Sequence, residues 1–245
     1  MMGGLALAAA LLLAACQPTP PPAAQSENPY AKLAALPDWS GIWEIDWRNE
    51  RGVTAPRPQL KLTPEYQKRL DTFRDAQKDG ENLQSAAANC VPSGMPGIMT
   101  QPYPIEFLFQ PDKVVMLIET YMQYRHIWTD GRTLAEDPDE WFNGHSVGRW
   151  EGDTLVVDTI GINAGTLLGP GVPHSDQLKI TERIHRVAPE WLEIEVTLTD
   201  PVVLAEPFVI TNTYHHLDDE LREYVCLENN RDGADEKGRP TLRLE

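Results

Sequence analysis

Along most of the chain beyond residue 100, apolar and polar residues alternate. This two-residue period belongs to a strand with one face on a core. The clearest run is 191–199, Trp-Leu-Glu-Ile-Glu-Val-Thr-Leu-Thr. By the same reading, strands are expected at 38–45, 105–109, 114–121, 122–128, 146–150, 154–160, 178–187, 191–199, 208–217 and 221–227. Turn formers separate many of them: Gln110-Pro111-Asp112-Lys113, Asp130-Gly131, Glu151-Gly152-Asp153, Pro189-Glu190 and Asp218-Asp219. One segment has a helical period instead. Thr63 is placed to cap it, Pro64 suits its first position, Tyr66, Leu70 and Phe73 share a face, and Gly80 is a stop. Successive hairpins without intervening helices predict an all-β fold, an antiparallel up-and-down β-barrel with one or two short helices.

The N-terminal pattern is different. Leu5 to Ala15 is an apolar run too short to span a bilayer as a helix, but of the length of a signal-peptide core. Leu13-Ala14-Ala15-Cys16 resembles a lipobox, in which the cysteine receives a lipid and becomes the first mature residue. No Lys or Arg precedes Cys16, so the translation start is expected upstream of Met1. Gln17 after the cysteine implies the outer membrane. The expected organisation is a lipoprotein signal peptide at 1–15, a lipid-anchored Pro-rich spacer at 16–36, a barrel domain at 37–228 and a polar tail at 229–245. The expected address is the periplasmic side of the envelope, with the membrane contacted through the lipid. That compartment is oxidising, so Cys90 and Cys226 are expected to form a disulfide.

Charge narrows the partners. Asp and Glu total 37 against 21 Lys and Arg, a formal net charge of -16. Such a surface repels phosphate backbones, and no nucleic acid is expected as a partner.

Candidate chemistry lies on the strands. Six histidines are present: His126, His145, His174, His185, His215 and His216. None has the spacing of a common zinc motif, so neither a metal nor another cofactor is expected. His145 and Arg149 are four apart on one strand and share a face. Asp158 lies on the partner strand of the same hairpin, and the turn type decides whether it joins that face. His174 and Ser175 end the loop 161–173, and Glu182 and Arg183 sit on the strand it feeds. Of the adjacent pair Arg125 and His126, only one can be internal. A histidine near a carboxylate inside an apolar barrel makes a workable acid/base pair, which nominates His145, Asp158, His174 and Glu182 as catalytic. Arg125, Arg149, Ser175 and Tyr214 are nominated as ligand-binding. The plainer reading stays open for each: a buried pair that fixes register, or a side chain that faces water.

Two resemblances add to this. Gly41-Ile42-Trp43 on the opening strand resembles the Gly-x-Trp motif of the lipocalin-like (calycin) superfamily, which implies a barrel with the Trp plugging its closed end. The segment 144–159, Gly-His-Ser-Val-Gly-Arg-Trp-Glu-Gly-Asp-Thr-Leu-Val-Val-Asp-Thr, resembles the signature of a large bacterial envelope family, and Pro173-His174-Ser175-Asp176 and Glu182-Arg183 fit it too. That signature implies no activity. The sequence therefore points first to a barrel that binds a small, largely apolar or aromatic molecule. Two alternatives remain: an acid/base enzyme of isomerase, hydratase or lyase type, and a structural envelope protein with a protein partner.

Overall fold

The computed structural model describes residues 28–52, 58–79 and 90–226, together with the backbone of 232–234 and 240–242. Its centre is a closed barrel. The chain opens with a 3-10 helix, Pro29–Ala35, within the stretch expected to be spacer. It then forms β1 (Gly41–Ile45), α1 (Pro64–Lys78), β2 (Ile105–Gln110), β3 (Lys113–Ile118), β4 (Gln123–Trp128), β5 (His145–Glu151) and β6 (Thr154–Ile160). A small hairpin follows, β7 (Leu167–Gly169) and β8 (Val172–Pro173). The long strands β9 (Lys179–Ala188), β10 (Trp191–Thr199) and β11 (Phe208–Leu217) complete the wall. Beyond it, β12 (Asp232–Ala234) and β13 (Pro240–Leu242) pair with each other. The order around the barrel is β1-β11-β10-β9-β6-β5-β4-β3-β2, closing on β1.

Nine strands cannot all be antiparallel to their neighbours in a closed ring, because direction must alternate and nine is odd. One parallel pair is forced. It falls between β4 and β5, where only Ile127↔Ser146 and Trp128↔Val147 are in register. Parallel neighbours need a long return connection. Here it is the segment 129–144, which runs outside the wall. The expected fold class is therefore correct, with one parallel seam that strand patterning alone does not locate.

The interior is filled by side chains. Trp39, Trp43, Phe107, Ile127, Leu155, Ile180 and Leu192 are fully buried, and Met116 and Ile184 are nearly so. Trp39 meets Phe107 and Phe109 edge-on at 4.9 and 4.7 Å, a favourable aromatic geometry. Trp43 donates its indole N–H to the Trp39 carbonyl at 3.1 Å. Its burial matches the plug that the Gly-x-Trp motif implies. Arg186 closes the chain around that end, donating to the carbonyls of Asp38, Ala188 and Pro189. At the opposite end, Leu62 bridges Leu204, and α1 buries Leu70 with Tyr66 and Phe73 packed against the core. Gly171, at φ +74°, turns the β7–β8 hairpin directly beneath Phe73, where a Cβ would lie 2.4 Å from the ring. Thr63 precedes the helix as expected, but its hydroxyl donates to the Val202 carbonyl instead of capping.

Two strand expectations differ from the structure. The strands expected at 114–121 and 122–128 abut without a turn, yet a turn at Glu119–Met122 ends the first at Ile118 and starts the second at Gln123, with Tyr121 and Met122 at φ 59° and 48°. No Gly or Asn marks that turn. Residues 221–225 form no strand, because β1 already pairs β2 and β11 and the closed ring leaves no edge to extend. That segment instead packs outside, with Arg222 N–H bonding Glu119 at 2.8 Å. The disulfide Cys90–Cys226 joins it to the segment after α1. Cys16 and Gly80 lie outside the described residues.

Candidate functional site

Strand parity sorts the candidates into inside and outside. On β4 the inward residues are Gln123, Arg125 and Ile127, so Arg125 is the internal member of its pair and His126 faces out. On β9, Glu182 faces inward with Ile180 and Ile184. The two charges meet in the barrel, with side chains 1% and 0% exposed. Arg125 Nη1 donates to Glu182 Oε1 at 3.1 Å, and Nη2 donates to Oε2. Nε donates to Ser146 Oγ at 2.9 Å, and Nη2 also reaches Thr159 Oγ1 at 2.7 Å. Ser146 and Thr159 bond each other at 2.9 Å. One guanidinium thus ties β4, β5, β6 and β9 together from within. These four neighbouring strands span the parallel seam, where the backbone ladder is thinnest.

The expectation that His145, Arg149 and Asp158 line the interior is corrected by the register. Val147 pairs with Asp158 and Arg149 with Val156, which puts all three candidates on one face, but the outer one. The inward positions of β5 belong to Ser146, Gly148 and Trp150. Gly148 is required there, since a Cβ would stand 2.9 Å from Ile127. Arg149 pairs with Glu151 and Asp158 at 3.1 and 3.3 Å, and is 58% exposed. Exposed pairs of this kind are worth about 0–1 kcal/mol. Burial pushes the Asp158 carboxyl up, but Thr181, Lys179 and Arg149 outweigh it and hold the group below its ordinary value.

His174 and Ser175 are brought together with neither His145 nor Glu182. His174 is 8% exposed. Its Nε2 lies 2.9 Å from Thr166 Oγ1 and 3.0 Å from the Asn163 carbonyl, and its Nδ1 lies 2.7 Å from the Ser175 carbonyl. These bonds pin the loop to β8. Ser175 donates N–H and Oγ–H to the two oxygens of Asp200, which also accepts from Val202 and Val203 N–H. Tyr214 is buried and donates its hydroxyl to the Met99 carbonyl at 2.7 Å. Burial, with the Glu182 carboxylate nearby, pushes its phenol far above the ordinary value, so it stays protonated. Among the described residues, no three His, Cys, Asp or Glu side chains converge as a metal site would require.

The arrangement most suited to a ligand lies outside the wall, under the return segment 129–144. Together with β4 and β5 this segment encloses a cleft of about 690 Å³. Small-molecule sites typically measure about 300–1,000 Å³. Outward positions of β4 recur every second residue and supply Tyr124, His126 and Trp128 as one wall. Their rings stand 5.1 and 5.8 Å apart in sequence order. Burial and the Lys113 ammonium push His126 below its ordinary pKa against a weaker pull from Asp112, which favours the neutral ring at pH 7. The far end of the cleft holds Trp141 and His145, with ring centroids 4.3 Å apart. Arg132 lies 3.6 Å over the Trp128 ring while its guanidinium is held by Asp130 at 2.6 Å.

The return segment is pinned at both ends. Thr129 N–H bonds the Asp112 carbonyl, and Trp141 exchanges backbone bonds with Gly161 and Asn163. His145 Nε2 bonds the Asp139 carbonyl at 2.8 Å, and Asn143 bonds Gln123 Oε1 and the Tyr124 carbonyl. Gly144, at φ +62°, starts β5 with its Cα so close to β6 that a Cβ would lie 2.7 Å from the Ile160 carbonyl. The cleft is thus preformed. Of its aromatic residues, Trp141 escapes the strand reading because it sits in the return segment. The usable signal was the length of chain between the turn Asp130-Gly131 and the strand at 146.

No family model matches the chain, and no curated protein matches it. Among solved structures it is similar to the fluorescent protein UnaG. The wild-type structure aligns over 73% of this chain and 97% of that one, at 13% identity and a TM-score of 0.33. A point mutant aligns over 74% and 97%, at 13% identity and a TM-score of 0.34.

Proposed function

We propose that this protein is a lipid-anchored envelope barrel that binds a small aromatic molecule in the cleft on its outer wall. The observation that supports it is the preformed cleft of about 690 Å³, lined by Tyr124, Trp128 and Trp141 and bordered by two imidazoles. The lumen is a weaker candidate, because Trp39, Trp43, Phe107 and the Arg125–Glu182 pair occupy it. Aromatic side chains give large contact areas at low entropic cost, and Trp141 is 58% exposed although it is anchored through its backbone. Purified protein is expected to retain small aromatic metabolites, detected by mass spectrometry after denaturation, and Trp141→Ala to lose them. An identical metabolite profile for parent and variant overturns the reading.

The anchor is the second part of the proposal, and it rests on the lipobox at Leu13–Cys16. Cys16→Ser is expected to move the protein from the membrane pellet to the soluble periplasmic fraction when expressed behind a complete signal. Unchanged membrane partitioning removes the lipid from the account.

A further inference from the structure

The chemistry of the cleft specifies more than aromaticity. His145 is fixed in one tautomer when neutral: a carbonyl oxygen only accepts, so the 2.8 Å contact with Asp139 requires the proton on Nε2. Nδ1 then carries a lone pair. It has no partner among the described residues, and it is not among the buried polar atoms left without one, so it is accessible. An acceptor fixed beside the Trp141 ring calls for a donor on the edge of a flat ligand. Charge sets a further limit. The cleft is bordered by the carboxylates of Asp137 and Asp139, while its one peripheral guanidinium, Arg132, is already bound to Asp130 and stacked on Trp128. The Arg125 charge is matched inside the wall by Glu182. Lys113, like Arg132, stands over the Trp128 ring, so both cations border the β4 wall, while the lining beside Trp141 and His145 carries the acidic Asp137 and Asp139 and repels an anion placed there.

We propose that the cleft selects an uncharged planar aromatic molecule bearing a hydroxyl donor, a phenol in the broad sense, which lies against Trp141 and donates to Nδ1 of His145. This rests on the reading that the cleft is the ligand site.

The test is calorimetric titration of the purified protein with three probes of one shape: naphthalene, 2-naphthol and 2-naphthoate. 2-Naphthol is expected to bind about 3–10-fold more tightly than naphthalene, the value of one neutral hydrogen bond. 2-Naphthoate is expected to bind more weakly than either. His145→Phe keeps a ring beside Trp141 and is expected to bring the naphthol-to-naphthalene ratio close to one. Trp141→Ala is expected to weaken both by a similar factor, on the order of ten-fold, and leave the ratio intact. Because the ratio is taken within each variant, general damage to the cleft cancels. Equal affinities for naphthol and naphthalene in the parent, both reduced by Trp141→Ala, overturn the donor selection and leave the cleft as the binding site. Naphthoate binding as tightly as naphthol overturns the charge selection. No saturable binding of any probe overturns the cleft reading and this inference with it.

Discussion

Arg125→Leu is expected to destabilise the protein by about 3–5 kcal/mol, and Glu182→Leu by a similar amount, because each leaves its partner charged, buried and unpaired. The pair is sealed, at 1% and 0% exposure. Desolvation therefore takes back most of what the ion pair and its hydroxyl partners give. The double variant, Arg125→Leu with Glu182→Leu, is expected to recover most of the loss. It removes both desolvation penalties at once, while Ser146 and Thr159 still satisfy each other across 2.9 Å. The same network spans the seam at which β4 and β5 share only two residue pairs, so the single variants should lose protection there first. Denaturant melts of the two singles and the double form a double-mutant cycle. Strictly additive losses would show that the two charges do not depend on each other, and amide exchange as fast elsewhere in the barrel as at the seam would remove its role as a seam tie.

Much of this architecture was legible from residue alternation. Strands at 191–199 and 208–217 have the boundaries the pattern predicts, because each has one face on the core and one toward water; 154–160 has them too, although Val156 on its outer face is also buried. The helix was legible from Pro64, Tyr66, Leu70 and Phe73, since one apolar stripe covers the barrel end. What alternation does not carry is which face is the inner one when both are mixed. On β5 the outer face holds His145, Val147, Arg149 and Glu151, and the inner face is Ser146, Gly148 and Trp150. The inner set looks no more apolar than the outer. It is polar because Ser146 serves the buried guanidinium, and small because Gly148 admits Ile127 and Leu155. The charge-bearing face of β5 points outward, and the lumen's own charges are Arg125 and Glu182, on strands far apart in sequence. The site was hidden for a related reason. The parity of a closed nine-membered ring is a property of the whole chain, and no local window shows that 129–144 must return outside the wall.

Loss of the Cys90–Cys226 bond is the other large effect expected. The bond closes a loop of 136 residues in the unfolded chain. In the chain-entropy model, a loop that long contributes about 5 kcal/mol, an upper figure, since residual structure in the unfolded chain reduces it. The location of the bond decides how the loss should show itself. Neither cysteine belongs to a barrel strand, and the β1–β2 and β1–β11 ladders close the ring without them. The segment after β11 also keeps its other ties when the bond is gone. Tyr224 packs edge-on against Tyr103 at 5.3 Å, and Arg222 N–H bonds Glu119. The double variant Cys90→Ala with Cys226→Ala should therefore keep the native near-ultraviolet dichroism of the buried tryptophans, and the cleft should still bind its probes, since Met95 N–H still holds the carbonyl of Phe142 in its lining. Its denaturant midpoint should fall, and the cost should appear in the unfolded state: the same variant refolds to the same structure from a looser chain. Parent protein treated with reductant should show the same shift. An unchanged midpoint under reduction would mean that the bond adds nothing to stability. A lowered midpoint accompanied by loss of the tryptophan dichroism would mean instead that the cross-link holds the barrel shut, and that the strand ladders do not suffice without it.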